Sequence, residues 1–365
     1  LRVGIIGVGW GSIVLAPAFR AVPEYDLAAL CARRPERAAE AGARLGIEDT
    51  STDWEAFAGR ADLDVIAVCT PTDLHCAQTL AALRAGKHVL CEKPVALDAG
   101  QARQMLDIAE DRGLAHAVNF EGRWVPDRLA VWDLVRDGFV GDPYLARMTT
   151  VGGLWHPSRH LQSEWMYRID EGGGYLMGLS SHDIDYLCAL FGAPVAVCAD
   201  VRTTVPTRTR ADGSLLEVTA DDTSTLLLRF ASGLTASVSS SMIALHVDQR
   251  RVEIYGSDGT IVIDGVLQGT AGQTRIRAGR LGEDGLTDVA PSTREPRSGA
   301  EIPARRAGPA IRALALMLED WLPAFDGGPA PGVPTLYDGW VTQSVVDAGR
   351  RSSAGAGWVA LDLAG

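Results

Sequence analysis

A chain of 365 residues, 47% of them apolar, can fill the cores of two compact domains, which excludes collagen-like and disordered classes. Lys and Arg number 34 against 46 Asp and Glu, a formal charge of −12, and the basic residues do not cluster, so no nucleic-acid partner is expected. No apolar run approaches the roughly 20 residues of a membrane span, and a predicted strand from Val3 leaves no room for a leader, so a cytoplasmic location with no membrane partner is expected.

Strand and helix patterns alternate over the first 120 residues. Strands are predicted at 3–8, 25–32, 65–69, 88–91 and 114–119, and helices at 12–21, 35–45, 73–85 and 98–112. Gly46, Gly86 and Gly113 close the last three helices. Strands this apolar are covered on both faces, as βαβ crossovers require, so residues 1–120 read as a Rossmann-type, doubly wound parallel sheet. After Phe120 the rhythm changes. A helix at 128–137 and a strand at 144–151 lead to a glycine turn at 172–174, which allows close approach of backbone to a ligand and opens a helix holding His182 and Asp185. Strands follow at 195–203, 223–230, 234–240 and 251–255, with Asp258 and Gly259 forming a hairpin turn. Residues 267–309 are rich in Gly, Arg and Pro, with weak strands and loops; helices at 310–321 and 339–350 flank a Pro/Gly linker. Residues 121–365 thus read as an α+β domain with a large, mostly antiparallel open sheet, serving substrate binding and oligomerisation, its terminal helix packing back on the first domain.

Gly7, Val8, Gly9, Trp10, Gly11, Ser12 and Ile13 follow the first strand and open a helix. Gly7 permits a tight turn, Gly9 lets backbone approach a pyrophosphate, and the helix N-terminus offers its N–H groups to negative charge. Ser12 stands at the third position of the fingerprint, small but not Gly. After the second strand, Ala32 occupies the place where an NAD-specific site carries a carboxylate, and Arg33 and Arg34 follow. Guanidinium suits a 2′-phosphate, so NADP is expected over NAD; the alternative is that both are solvated loop charges.

Only two of the basic residues, Lys87 and Lys93, are lysine. Lys93, between Glu92 and Pro94, ends a strand on the sheet's ligand-binding edge and could supply a compact ammonium to a substrate oxygen. His182 could pass a proton near neutral pH, or serve only as a structural hydrogen-bonder. Trp155, His156, Arg159, His160, Trp165, Tyr167 and Arg168 combine aromatic rings with polar donors, which suits a sugar face and equally a subunit contact. The His156–His160 spacing lacks the Glu of zinc proteases, and no metal is expected. The six cysteines form no Cys-x-x-Cys and read as reduced thiols.

Together, the Gly-x-Gly turn, Cys69, Thr70 and Pro71 with Asp73 and His75, Glu92-Lys93-Pro94, Arg123 with Pro126, the glycines at 172–174, and His182 with Asp185 closely resemble the glucose–fructose oxidoreductase/inositol dehydrogenase/rhizopine-catabolism (Gfo/Idh/MocA) family. The resemblance spans nearly the whole chain. It implies NAD(P)-dependent oxidation or reduction of a sugar, cyclitol or related polyol, in homodimers or homotetramers. It makes Lys93 the catalytic lysine and His182 the catalytic histidine, places Cys69, Thr70, Pro71, His75 and Glu92 with the cofactor, and sets Arg123, Trp155, Arg159, His160, Trp165 and Asp170 around the substrate. The chain departs from the family's Asp-x-Gly-x-His segment: Gly178 stands where a second catalytic carboxylate is expected and Ser180 where the Gly is. Two alternatives follow: a reaction with no net redox change using bound nucleotide, and a nucleotide-binding regulator that has lost its relay.

Overall fold

The structure, a computed structural model, describes residues 1–161, 163–266, 273–297 and 307–363. They form two compact units, each discontinuous in sequence: Leu1–Val125 with Thr293–Trp340, and Pro126–Ser292 with Val341–Gly365. The stretch 293–340, read from sequence as part of the second domain, therefore clusters with the first, and the terminal helix Leu336–Arg351 carries the chain from one unit into the other. Parts of the expected loop region, 267–272 and 298–306, lie outside the described residues.

In the first unit, β1 (Arg2–Ile6), β2 (Asp26–Cys31), β3 (Thr50–Ser51), β4 (Val65–Val68), β5 (His88–Cys91) and β6 (His116–Val118) form a parallel sheet in the order β3-β2-β1-β4-β5-β6. Every residue of β4 is buried, as a strand covered on both faces demands. The crossover helices start and stop where local chemistry dictates. Pro35–Leu45 opens on its proline and ends at Gly46, whose φ of 63° relieves the last turn. Ala99–Asp111 starts under Asp98, whose carboxylate accepts the Gln101 N–H at 2.8 Å. The strand order reverses between β1 and β4, so the residues leaving them, Gly7 and Cys69, border the crevice where such sheets take ligands. The described residues between 293 and 340 complete the unit. The Tyr25 hydroxyl donates to the Leu318 carbonyl of the helix Gly308–Trp321 at 3.1 Å, and the Val118 N–H of β6 donates to the Pro334 carbonyl at 2.8 Å.

In the second unit, β7 (Pro143–Val151) and β8 (Pro194–Arg202) are followed by a separate small hairpin, β9 (Thr207–Thr209) with β10 (Leu215–Glu217). Then come β11 (Thr223–Phe230), β12 (Thr235–Ser241), β13 (Gln249–Gly256), β14 (Gly259–Gly265), β15 (Arg275–Arg280), β16 (Thr287–Val289) and β17 (Val359–Ala360). Apart from the hairpin these strands form one sheet, β16-β15-β14-β13-β7-β12-β11-β8-β17, antiparallel except where β7 runs parallel to β12. Alternation decides its faces. Ser224, Leu226, Leu228 and Phe230 of β11 point into the core with Ala236 and Val238 of β12, while Thr225, Leu227 and Arg229 point outward. The inner face packs on Ile184 and Leu187 of the helix Ser181–Phe191 and on Val345 and Val346. Ser257 and Asp258 join β13 to β14, the hairpin expected from sequence.

Candidate active site

The nucleotide-binding turn is built by sterics. Gly7 has φ 105°, and a Cβ there would sit 2.1 Å from the Cys69 carbonyl oxygen, so only glycine passes between β1 and β4. A Cβ on Gly9 would meet nothing within 4 Å, which leaves its backbone open to a ligand. Trp10 (45% exposed) and Ile13 (51%) flank that opening, while Val8 and Gly11 are buried. The Ser12 hydroxyl turns inward, donating to the Val8 carbonyl at 2.5 Å and accepting from Arg44 at 2.5 Å, so it supports the turn without offering itself to a phosphate. An open glycine at a helix N-terminus beside the sheet's crevice fits a dinucleotide pyrophosphate. Arg33 and Arg34 are exposed, Arg34 preceding the helix Pro35–Leu45 in extended backbone.

Lys93 is half-buried on a backbone held from both sides. Ahead of it, Glu92 is buried; its carboxylate accepts the Asn119 side-chain amide at 2.6 Å and the Lys93 N–H at 3.1 Å. Burial pushes the Glu92 carboxyl above the usual range, and Lys93 and Asn119 pull the other way. Behind Lys93, the Pro94 carbonyl lies 2.8 Å from His75 Nδ1, and the Lys93–Pro94 peptide is cis. His75 does not face a ligand opening: its other nitrogen lies 2.8 Å from the Thr70 carbonyl and the residue is 1% exposed. The Thr70 hydroxyl donates to Gln78, and Pro71 is exposed. Arg123 is committed within its own unit, donating to Asp338 at 2.7 Å and to the Gly332 carbonyl at 3.0 Å.

In the second unit the glycines at 172–174 serve the backbone itself. A Cβ on Gly173 would lie 2.5–2.6 Å from the carbonyl oxygens of Trp165, Met166 and Arg168, and one on Gly174, at φ 108°, would lie 2.4 Å from Asp221 Oδ1. Close approach to a ligand, the expected reason for these glycines, is not what demands them. Asp221 instead caps the segment that follows, accepting the Leu176 N–H at 2.7 Å. A π-helical turn, Leu176–Ser180, leads into the helix Ser181–Phe191, placing His182 in its first turn. A Cβ on Gly178, one turn earlier, would meet nothing within 4 Å.

The helix start is pinned by a buried ionic cluster. The Arg128 guanidinium, 1% exposed, donates to the His182 carbonyl at 3.3 Å and to the Asp183 carboxylate, and lies over the Tyr186 ring at 4.6 Å. Asp183 also accepts from the Thr150 hydroxyl at 3.0 Å and from Arg250 at 3.0 Å. Sequence reading did not single out Arg128, Thr150, Arg250, Asn119 or Asp221. Arg128, Thr150 and Arg250 reach Asp183 from three separate segments, Asn119 serves Glu92 in the first unit and Asp221 caps Leu176, and no local spacing signals any of these pairings.

The aromatic group divides. Trp155 and Tyr167 are core residues, with rings 4.9 Å apart and Tyr175 packed edge-on against Trp155 at 5.9 Å. Arg208, from β9, locks them by donating to the Trp155 carbonyl and, at 3.0 Å, to that of Arg159. Arg159 and His160 are exposed and Trp165 is half-buried. Asp170 forms a surface pair with Arg168 at 3.2 Å.

Residues 1–120 match the model of the oxidoreductase family with an NAD-binding Rossmann fold, and residues 129–262 that of the GFO/IDH/MocA C-terminal domain. Levoglucosan dehydrogenase of Pseudarthrobacter phenanthrenivorans is 30% identical over 288 residues, covering 72% of this chain and 73% of that protein. Inositol 2-dehydrogenase of Rhizobium meliloti is 29% identical over 265 residues, 72% of this chain and 76% of that one. The solved structure of levoglucosan dehydrogenase in complex with NADH and L-sorbose superposes with a TM-score of 0.87 at 25% identity, covering 100% of this chain and 99% of that one. A second complex, with NADH and levoglucosan, gives 0.84 at 26%, covering 99% of each chain. These complexes hold NADH, which overturns the expected preference for NADP. The physical reason lies in composition: nearly all of this chain's cations are arginine, so two exposed guanidiniums after β2 carry little information about a 2′-phosphate.

Proposed function

The chain belongs to the Gfo/Idh/MocA family of NAD(P)-dependent oxidoreductases acting on CH–OH groups of sugars, cyclitols or related polyols, and from that premise we propose an NAD-linked dehydrogenase whose chemistry rests on Lys93 and His182. The observation that carries the assignment to Lys93 is its setting: a half-buried lysine at the ligand edge of β5, on a backbone tied at both flanks. Gly7, Gly9 and the start of the following helix would hold the dinucleotide, with Trp10 and Ile13 beside it. NAD, when bound, supplies the hydride acceptor. The Lys93 ammonium donates a hydrogen bond to the reacting oxygen and stabilises negative charge developing there. The His182 ring accepts the hydroxyl proton during oxidation and returns it during reduction. Its backbone is set by Arg128, an arrangement that holds the helix start in place without a carboxylate at position 178.

The test is a panel of levoglucosan, myo-inositol and 1,5-anhydro-D-fructose with each coenzyme, following coenzyme absorbance. Turnover with NAD(H) in preference to NADP(H) is expected; absence of coenzyme-linked turnover with every sugar and polyol tried refutes the reading. We also propose a cytoplasmic homodimer or homotetramer assembled through the outward face of the nine-stranded sheet. Support comes from exposed Leu227 and Trp358, the latter under Arg229 at 3.9 Å, and from the charged ladder of Arg251, Glu253, Asp264 and Arg277 on the same face. Sedimentation velocity at micromolar concentration checks it, and a monomer defeats it. Among the described residues no helix is long and apolar enough to cross a membrane.

A further inference from the structure

His75 is the one imidazole of the first unit placed between the two turns that border the ligand edge. It opens the helix His75–Arg84, which follows β4, and its ring lies between the turn after β4 and the turn after β5. Nε2 lies 2.8 Å from the Thr70 carbonyl and Nδ1 2.8 Å from the Pro94 carbonyl, in a site only 1% exposed. Nothing else in that arrangement is so suited to the span: a rigid ring with nitrogens on two edges meets two acceptors that face each other. Each turn is separately anchored to the sheet, since the Cys69 N–H donates to the Ile6 carbonyl at 2.8 Å and the Glu92 N–H to the Val68 carbonyl at 2.9 Å. What those bonds do not set is the spacing between the turns beyond the sheet, and that is where Lys93 stands.

We propose that His75 is a positioning residue for Lys93, strapping the Pro94 carbonyl to the Thr70 carbonyl so that the lysine's backbone is set relative to the nucleotide-bordering turn. This rests on the reading of Lys93 given above. Glu92, fixed by Asn119, holds the lysine's leading side; His75 holds its trailing side. The chemistry of the strap follows from proton count. Donation to both carbonyls at once needs the imidazolium, while a neutral ring fastens one. Burial is the largest influence and holds the imidazole below its ordinary value; the two carbonyls favour the charge, and of the charged groups facing the ring Asp73 favours it and the Lys93 ammonium opposes it. The second fastening therefore hangs on a single proton.

A double-mutant cycle tests the proposal with the panel member that wild type turns over fastest, in single-turnover reactions with enzyme in excess. His75→Phe removes both fastenings, Lys93→Met the side chain they position. A displacement of the order of an ångström at a reacting group costs up to roughly 100-fold in rate, so His75→Phe is expected to slow turnover about 10- to 100-fold with NADH Kd within about threefold of wild type. In the Lys93→Met background the same change is expected to alter the residual rate by less than about twofold, because the group through which it acts is gone. His75→Gln, which can donate to one carbonyl, is expected to fall between wild type and His75→Phe, and it replaces His75→Phe in the cycle if that variant does not fold. Near-normal turnover, losses that multiply in full in the double variant, or a rise in NADH Kd matching the fall in rate each overturn the proposal. Undiminished turnover by Lys93→Met alone instead overturns the role of Lys93.

Discussion

Arg128→Met is the most direct probe of the buried cluster beneath His182. The substitution keeps much of the side-chain volume but removes the guanidinium that contacts Asp183, the His182 carbonyl and the Tyr186 ring. Removing one partner of a buried ion pair costs about 3–5 kcal/mol, because the remaining charge is left without compensation. Here Asp183 keeps two donors, Thr150 and Arg250, each at 3.0 Å, so it is not orphaned and the lower end applies, about 3 kcal/mol. Asp183→Asn in the Arg128→Met background removes the carboxylate charge that has lost one of its two arginine partners, and the double variant is expected to recover about 1–2 kcal/mol relative to the sum of the single changes. Urea unfolding followed by circular dichroism and tryptophan fluorescence measures these differences. A cost below about 1 kcal/mol for Arg128→Met, or strict additivity with Asp183→Asn, refutes the claim that this cluster holds the helix start.

Lys93→Met is expected to lower kcat by roughly 10²–10³ while leaving NADH affinity within about threefold, as loss of one charged donor used in the transition state does; parallel kinetics and fluorescence titration check both. Gly178→Ala is expected to stabilise the protein by about 0.5–1 kcal/mol, since that glycine lies in a helical segment with open space at its Cβ, and denaturant unfolding reads the gain. Burial raises the Asp338 carboxyl, but Arg123 and the Thr335 bonds outweigh that and hold it below the usual carboxylate range. Its stabilisation is therefore complete above the unfolded value of about 3.9 and lost as pH falls through the folded one, so Asp338→Asn should lower stability at neutral pH and flatten the acid limb of a stability–pH curve.

Five strands of the parallel sheet were readable because they are short, mostly apolar and punctuated by helix-closing glycines at 46, 86 and 113, whereas β3, the polar pair Thr50–Ser51, shows no pattern and was not expected. The outer strands of the second sheet were harder: β16 and β17, of three and two residues, are below the length at which alternation is visible. The assignment of residues 293–340 failed for a different reason, since nothing in a local pattern says which earlier unit a later helix will return to. At the motifs, the packed chain gives several residues local reasons other than the expected ones. The family resemblance grouped His75 with the cofactor, yet each nitrogen of its buried ring lies 2.8 Å from a backbone carbonyl. Gly173 and Gly174 looked like a ligand's clearance, yet three carbonyls and Asp221 occupy the space a side chain would need. Trp155 suited a sugar face or a subunit contact equally, and its ring is instead packed against Tyr167 and Tyr175. Sequence names the residue type a position requires; which neighbour imposes the requirement is a property of the packed chain.

The scarcity of lysine has a practical reach. Lys87 is tied by its ammonium to the Leu63 carbonyl at 2.8 Å, and Lys93 is the second of only two lysine amines in the chain. Reductive methylation with a carbon-13 label would therefore give two lysine resonances beside that of the amino terminus, an almost empty spectrum in which a single substitution assigns each peak. The ammonium proposed to meet the substrate could be titrated, broadened or shifted by added polyol and watched directly, with no chromophore and no coupled assay between the observer and the proton.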